Sequence, residues 1–308
     1  MAHGFLRHPD GSFTKFDVPR AGIQGTFPQA INEAGVITGS YSDAKFVSHG
    51  FVRAVSGAII TFNAPGGTGG TDPTAINGAG IITGYYLDGS NAFHGFARAA
   101  DGTLTTFNVP GAAQGFGFNG TLPADINPAA AIVGTYTGAN DLESHGFVRT
   151  PSGHFFKFDP PPRGSIPFGF ASFDSGPVIY NNAQGVITGT YFELIPGNPF
   201  TGDFRVYVLL PGGFFLAFDA ANYTPCCIWS FPTGINPTNV ITGSFNNGFN
   251  INHGFVRTVD ASVTTFDAPG AGTGFNQGTI PLGINPTGVI TGFYIDKHSV
   301  NHGFLRTP

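Results

Sequence analysis

Charge is scarce in this sequence. Lys, Arg, Asp and Glu make up 10% of the 308 residues, and the formal net charge is −5. No basic stripe is present, which argues against a nucleic-acid partner, because phosphate neutralisation needs clustered Lys and Arg. Cysteine is nearly absent. The only two, Cys226 and Cys227, are adjacent, and that excludes a disulfide framework or a Cys-based zinc site. No apolar run approaches the roughly 18 residues of a membrane helix, so no membrane insertion is expected. Helix-period patterns are missing. The N-terminal MAHGFLR has neither the charged nor the apolar region of a signal peptide; the expectation is a cytoplasmic protein, or one read here without its leader. There is no G-x-S-x-G, H-E-x-x-H or P-loop, and GFGFNG (115–120) leads into a strand, without the helix N-terminus that phosphate binding requires.

Glycine (47), Phe (33) and Pro (24) are abundant. Gly and Pro disfavour long helices, whereas Phe, Thr, Ile and Val favour strands. A motif recurs six times: INEAGVITG (31–39), INGAGIITG (76–84), INPAAAIVG (126–134), NNAQGVITG (181–189), INPTNVITG (235–243) and INPTGVITG (284–292). Its spacing of 45 to 55 residues matches one four-stranded propeller blade. Each unit reads as a short strand A around Ala-Ile-Asn, strand B (V-I-T-G-x-Y), strand C (H-G-F-V-R) and strand D (x-x-T-F-D/N). Tight turns join A to B and C to D, with Gly or Asn for the positive φ they need. The pattern predicts an all-β, six-bladed β-propeller of four-stranded antiparallel blades in a single domain, 1–308. The B–C and D–A loops are longer and share one end of each blade, where binding residues are expected.

The recurrent His of strand C lies 14 residues before an Asp or Asn of strand D: His3 and Asp17, His49 and Asn63, His94 and Asn108, His145 and Asp159, His253 and Asp267. Across a hairpin these positions are opposite and share a face, so an imidazole N–H can donate to the acid or amide. In the fourth unit Arg205 replaces His while Asp219 remains 14 away. Exchange of donor for donor fits a structural polar bridge, worth about 0.2–1 kcal/mol, better than a repeated catalytic base. The Phe after each His-Gly and the Phe of strand D are expected to fill blade–blade interfaces, each worth ~1.5–3 kcal/mol on burial. The six register Asn residues (Asn32, Asn77, Asn127, Asn182, Asn236, Asn285) suit turn or cap roles, and Asp125 reads as the only acid on strand A.

The pattern I-N-x-x-G-x-I-T-G-x-Y, H-G-F-x-R, T-F-D-x-P resembles the bacterial extracellular HAF repeats, with Gly in place of the Ala, over nearly the whole chain. The resemblance implies a secreted or surface-associated repeat protein and no particular activity. The repeats supply twenty-five strands, one more than six blades need. SFTKFD (12–17) is expected to complete the last blade by pairing of the N- and C-terminal strands, with the two HGFLR segments, 3–7 and 302–306, competing for one position.

Symmetry breaks around the fourth unit. The loops 160–177, 192–204 and 220–232 are long and hold the only Trp and both Cys. The expected ligand-binding residues are Trp229, Tyr223, Arg163, Glu193 and Asp203. Aromatic faces with carboxylates suit carbohydrate or a small amphipathic ligand. The alternative is a propeller hydrolase or lyase with Glu193 or Asp174 as acid/base and Tyr223 or Arg163 stabilising charge. A structural or protein-interaction scaffold is the third reading. No cofactor is expected. Scattered acids (Asp43, Asp88, Asp141, Glu143, Asp296 beside His298) offer Ca²⁺ weak ligand sets without a D-x-D-x-D-G string.

Overall fold

The computed structural model describes residues 1–115, 119–140, 143–160, 166–167, 179–194, 202–220 and 229–308. Among them every regular element is a β-strand, and no helix is long and apolar enough to cross a membrane.

Strands β1 (Gly4–Arg7) and β2 (Phe13–Phe16) form a two-stranded hairpin. Three four-stranded antiparallel sheets follow: β3 (Thr26–Ile31), β4 (Ile37–Ser42), β5 (Ser48–Arg53) and β6 (Ile59–Phe62); β7 (Gly70–Ile76), β8 (Ile82–Leu87), β9 (Phe93–Arg98) and β10 (Leu104–Phe107); β11 (Thr121–Ile126), β12 (Ile132–Thr137), β13 (Ser144–Arg149) and β14 (Phe155–Phe158). The remaining strands are β15 (Ile166–Pro167), β16 (Ile179–Asn181), β17 (Ile187–Leu194), β18 (Gly202–Leu209) and β19 (Phe215–Phe218); β20 (Trp229–Ile235), β21 (Ile241–Asn246), β22 (Asn252–Arg257) and β23 (Val263–Phe266); β24 (Gly278–Ile284), β25 (Ile290–Ile295) and β26 (Asn301–Arg306). These three groups join into one sheet through parallel pairing at Phe204 with Trp229 and at Asn252 with Gly278. The chain divides into two compact units, Met1–Glu143 with Phe147–Phe156, and Ser144–Gly146 with Lys157–Pro308.

Strand A is longer than its Ala-Ile-Asn signature. In β3, β7, β11, β20 and β24 it extends upstream through a Pro, and the register shifts just after that Pro. A bulge at a sheet edge tolerates the residue that cannot donate. In the fourth repeat strand A is split. β15 and β16 both pair with β17, and residues 168–178 fall between them. The long segment expected between strands D and A is thus largely an insertion within strand A.

The packing repeats. Phe51, Phe96, Phe147 and Phe255 are 0% exposed. Each meets the strand D Phe of the preceding blade edge-on: Phe16, Phe62, Phe107 and Phe218, at 5.9–6.5 Å between centroids. The strand C Arg closes the stack from above, as where Arg98 lies 5.0 Å over Phe62. Glycine after His is required by this design, because a Cβ at Gly50, Gly95 or Gly254 would strike the strand D ring of its own blade. Each register Asn caps its A–B turn: Asn77 Oδ1 accepts from the Ile81 N–H at 3.0 Å. Its amide also donates to the next repeat's Asn carbonyl, Asn32 to Asn77, Asn77 to Asn127 and Asn182 to Asn236, each at 3.1 Å.

The termini depart from expectation. Among the described residues β2 pairs with β1 only, and β26 with β25 only, so the expected pairing of SFTKFD with the second HGFLR is not seen there. The local partner wins because closing a short hairpin costs far less chain entropy than closing nearly the whole chain.

Candidate functional site

The recurrent His residues are built into stations with two partners. Nδ1 lies near the strand D residue: 2.8 Å for His3–Asp17, 2.7 Å for His49–Asn63, 2.9 Å for His94–Asn108, 2.8 Å for His145–Asp159 and 2.9 Å for His253–Asp267. Nε2 faces the B–C loop: Asp43 at 3.3 Å from His49, Asp88 at 3.1 Å from His94, and the Asn247 amide at 3.0 Å from His253. A strand B aromatic stacks on the ring, as Tyr86 does on His94 at 4.9 Å.

Each of these three doubly bonded imidazoles has one acid and one amide. The chemistry explains the pairing. A neutral imidazole has one N–H and one lone pair, a carboxylate only accepts, and an amide can present either its oxygen or its N–H. Arg205 obeys the same logic. Guanidinium has donors only, and both its partners are carboxylates: Nε donates to Asp219 Oδ1 at 2.9 Å, Nη2 to Asp219 Oδ2 at 3.1 Å, and Nη1 to Glu193 Oε2 at 2.6 Å. Burial opposes the Arg205 charge, but its bonds to Glu193 and Asp219 hold its pKa above the ordinary value. Burial, together with the nearby acids, pushes the Tyr191 hydroxyl up to about 12.

The B–C loop acids serve their own turns. Asp43 Oδ1 accepts from the Lys45 and Val47 N–H groups, and Asp88 and Asp296 do the same for their loops. These backbone bonds, foremost that of Val300, lower Asp296 to about 2. Among the described residues no three His, Cys, Asp or Glu converge on a cation site.

Of the expected ligand-binding residues, Glu193 and Asp203 face each other across β17–β18. Phe204 lies on the other face of that sheet, where it contacts Trp229 at 5.7 Å and Phe231 at 5.6 Å. Trp229 is 45% exposed. The single cleft expected to combine Trp229 with Glu193 therefore resolves into two faces of one sheet, because successive residues point to opposite sides. Glu193 is an ion-pair partner of Arg205, a role that competes with acid/base work. Arg163, Asp174, Tyr223, Cys226, Cys227 and Asp141 lie outside the described residues.

Asp72 was missed from sequence. It sits on β7, opposite Tyr85 in register, so Asp125 is not the only acid on strand A. Its carboxyl bonds the Ser48 hydroxyl of the neighbouring blade. Burial pushes it above the usual carboxylate range, against the lowering effect of the Ser48 and Ser40 hydroxyls. Burial and the Asp72 charge likewise raise Tyr85. A signal was available: TFPQAIN (26–32), TLPADIN (121–127), SFPTGIN (230–236) and TIPLGIN (279–285) carry an apolar second residue where TDPTAIN (71–77) carries Asp.

No protein-family model and no curated protein matches the sequence. Among solved structures the chain is similar to a streptogramin B lyase, with 16% identity over 99% of this chain and 87% of that one and a TM-score of 0.58. It is similar to virginiamycin B lyase from Staphylococcus aureus with quinupristin, with 14% identity over 99% and 88% and a TM-score of 0.57. It also resembles the β-propeller domain of the Trilobed protease from Pyrococcus furiosus, with 8% identity over 91% and 95% and a TM-score of 0.52. At such identities the likeness shows the fold, a β-propeller repeat.

Proposed function

We propose that this chain is a secreted or surface binding module, a six-bladed propeller that recognises carbohydrate or a small amphipathic ligand through the irregular sector around β15–β20. The observation that carries this reading is Trp229. Its indole is nearly half exposed, yet fixed by strand pairing with Asn246 and by edge contact with Phe204. An aromatic surface held on a rigid strand suits the apolar face of a sugar. Tyr223, six residues upstream, and Arg163 are proposed to complete the contacts. The likeness of the repeats to HAF repeats supports an extracellular setting.

Catalysis is the second reading, and Asp72 favours it: a carboxyl pushed above its usual range beside two hydroxyls is the kind of group an acid catalyst needs. A glycan array followed by a turnover screen on the hits separates the readings. Binding that Trp229→Ala abolishes, without turnover, supports the module. Turnover lost in Asp72→Asn supports the enzyme. Silence in both leaves an interaction scaffold.

A further inference from the structure

Trp229 has company at its end of the sheet. It opens β20 and pairs with Asn246, the last residue of β21. The turn from β21 to β22 carries Phe249, 77% exposed, and the loop that leads into β24 carries Phe275, 70% exposed. Both rings stand in the same string, Gly-Phe-Asn, at 248–250 and 274–276. In both the Asn has a φ of 57°, a conformation Asn adopts more readily than most residues. The two loops are tied together. The Asn276 N–H donates to the Asn250 carbonyl at 2.8 Å, and the Gln277 carbonyl accepts from the Asn252 backbone N–H at 2.8 Å and from its side-chain amide at 3.2 Å. Each loop is also closed on itself. Asn247 Oδ1 accepts from the Ile251 N–H at 3.2 Å, and Gln277 Oε1 from the Gly274 N–H at 2.9 Å. Large rings held out in water in this way mark an interaction surface.

The chemistry around the rings is uncharged. Residues 244–252 and 268–278 contain no Asp, Glu, Lys or Arg. Where three other B–C turns are capped by Asp43, Asp88 and Asp296, this one is capped by Asn247. Amides stand in place of charge: Asn246 and Asn250 are half-buried and Asn276 is exposed. Charge resumes at the next turn, where the backbone of Asp296 and Lys297 passes Gly272.

Resting on the carbohydrate reading above, we propose that Trp229, Phe249 and Phe275 form a row of stacking faces for a neutral oligosaccharide, with Asn246, Asn250 and Asn276 bonding its hydroxyls. The C–H face of a sugar ring covers an aromatic face, and the rings are already in place to receive it. Sugar hydroxyls both donate and accept, and a side-chain amide does both. A sulfate or carboxylate would find no cation on these two loops to form a charge-assisted bond.

Trp229 is the only tryptophan in the chain, so intrinsic emission reports on one end of the row. The test puts the full chain on an array of neutral, sialylated and sulfated glycans, then titrates the neutral hits and their single-sugar and disaccharide fragments against that emission. Neutral hits are expected, with affinity rising with chain length. Phe249→Ala and Phe275→Ala should each weaken the longest hit about three- to tenfold, leave the single sugar unaffected, and keep the melting temperature, because both rings are exposed. Should either variant melt early, Asn276→Gly carries the test, since it removes an amide and keeps the positive φ without strain. A hit that needs Trp229 but is indifferent to Phe249, Phe275 and chain length overturns the proposal and leaves the carbohydrate reading standing. Preference for sialylated or sulfated glycans overturns it as well. Silence across the whole array overturns both.

Discussion

The blades β7–β10 and β15–β19 share one register and differ in nearly everything attached to it. In the first, His94 stands between Asp88 and Asn108 under the Tyr86 ring. In the second, Arg205 stands at the same place between Glu193 and Asp219. Phe96 of one becomes Tyr207 of the other, and both are buried against the strand D Phe of the preceding blade. What is kept is the matching of donors to acceptors and the aromatic stack; the residue types themselves are exchangeable. Strand A shows where the tolerance ends. It is continuous in β7 and split into β15 and β16 in the fourth repeat, yet both versions pair with strand B as before.

The comparison is broken most severely at the stack. Phe96→Ala removes a fully buried ring and is expected to cost about 3–5 kcal/mol, whereas Phe5→Ala, at a position 65% exposed, should change stability little; denaturant unfolding of the two variants measures the difference. A smaller effect sharpens the station rule. Arg205→His places an imidazole between two carboxylates, where one nitrogen lacks a donor for its partner. It should cost about 1–2 kcal/mol near neutral pH, and addition of Glu193→Gln should restore part of that loss, read as coupling in a double-mutant cycle.

The pH dependence of two acids should run in opposite directions. The pKa of Asp296 is lowered from 3.8 to about 2, so its contribution to stability is complete above 3.8 and is lost as pH falls toward about 2. Amide exchange in the β25–β26 turn should quicken over that window. Asp72 is raised above 3.8, so the folded state loses stability as pH rises from 3.8 through the higher value. Asp72→Asn should remove that slope and raise the melting temperature at neutral pH. The smallest effect belongs to Trp229→Ala, expected to shift stability by under about 1 kcal/mol while removing ligand binding on a glycan array.

Much of the frame could be read in the sequence because its contacts sit at fixed separations. The 14-residue interval between His and Asp or Asn is set by a hairpin, and a hairpin has one register. The His-Gly-Phe and T-F-D/N strings therefore implied their own pairing, down to the substitution at Arg205. The loop-side partners were harder, since Asp88 and Asn247 differ in residue type and only their common six-residue separation from His94 and His253 betrays them. Asp72 was overlooked because β7 begins at Gly70, five residues before the Ala-Ile-Asn that marks strand A in the sequence. Trp229 and Glu193 were assigned to one cleft, because adjacency in sequence does not say which face of a strand a side chain takes. The closure of the ends was misjudged for an energetic reason: β2 has an identical partner sequence close by and another far away, and the near one is entropically cheaper.

The Asn32–Asn77–Asn127 ties give the array a polarity. At these joints one unit gives its Asn side-chain amide forward and the next receives it on the backbone carbonyl of its own Asn. A copy added or deleted by unequal recombination meets a neighbour already equipped to accept it. Such a chain can change its length over generations without inventing a new contact, while a single altered unit, like the fourth, is free to diverge between two conventional neighbours.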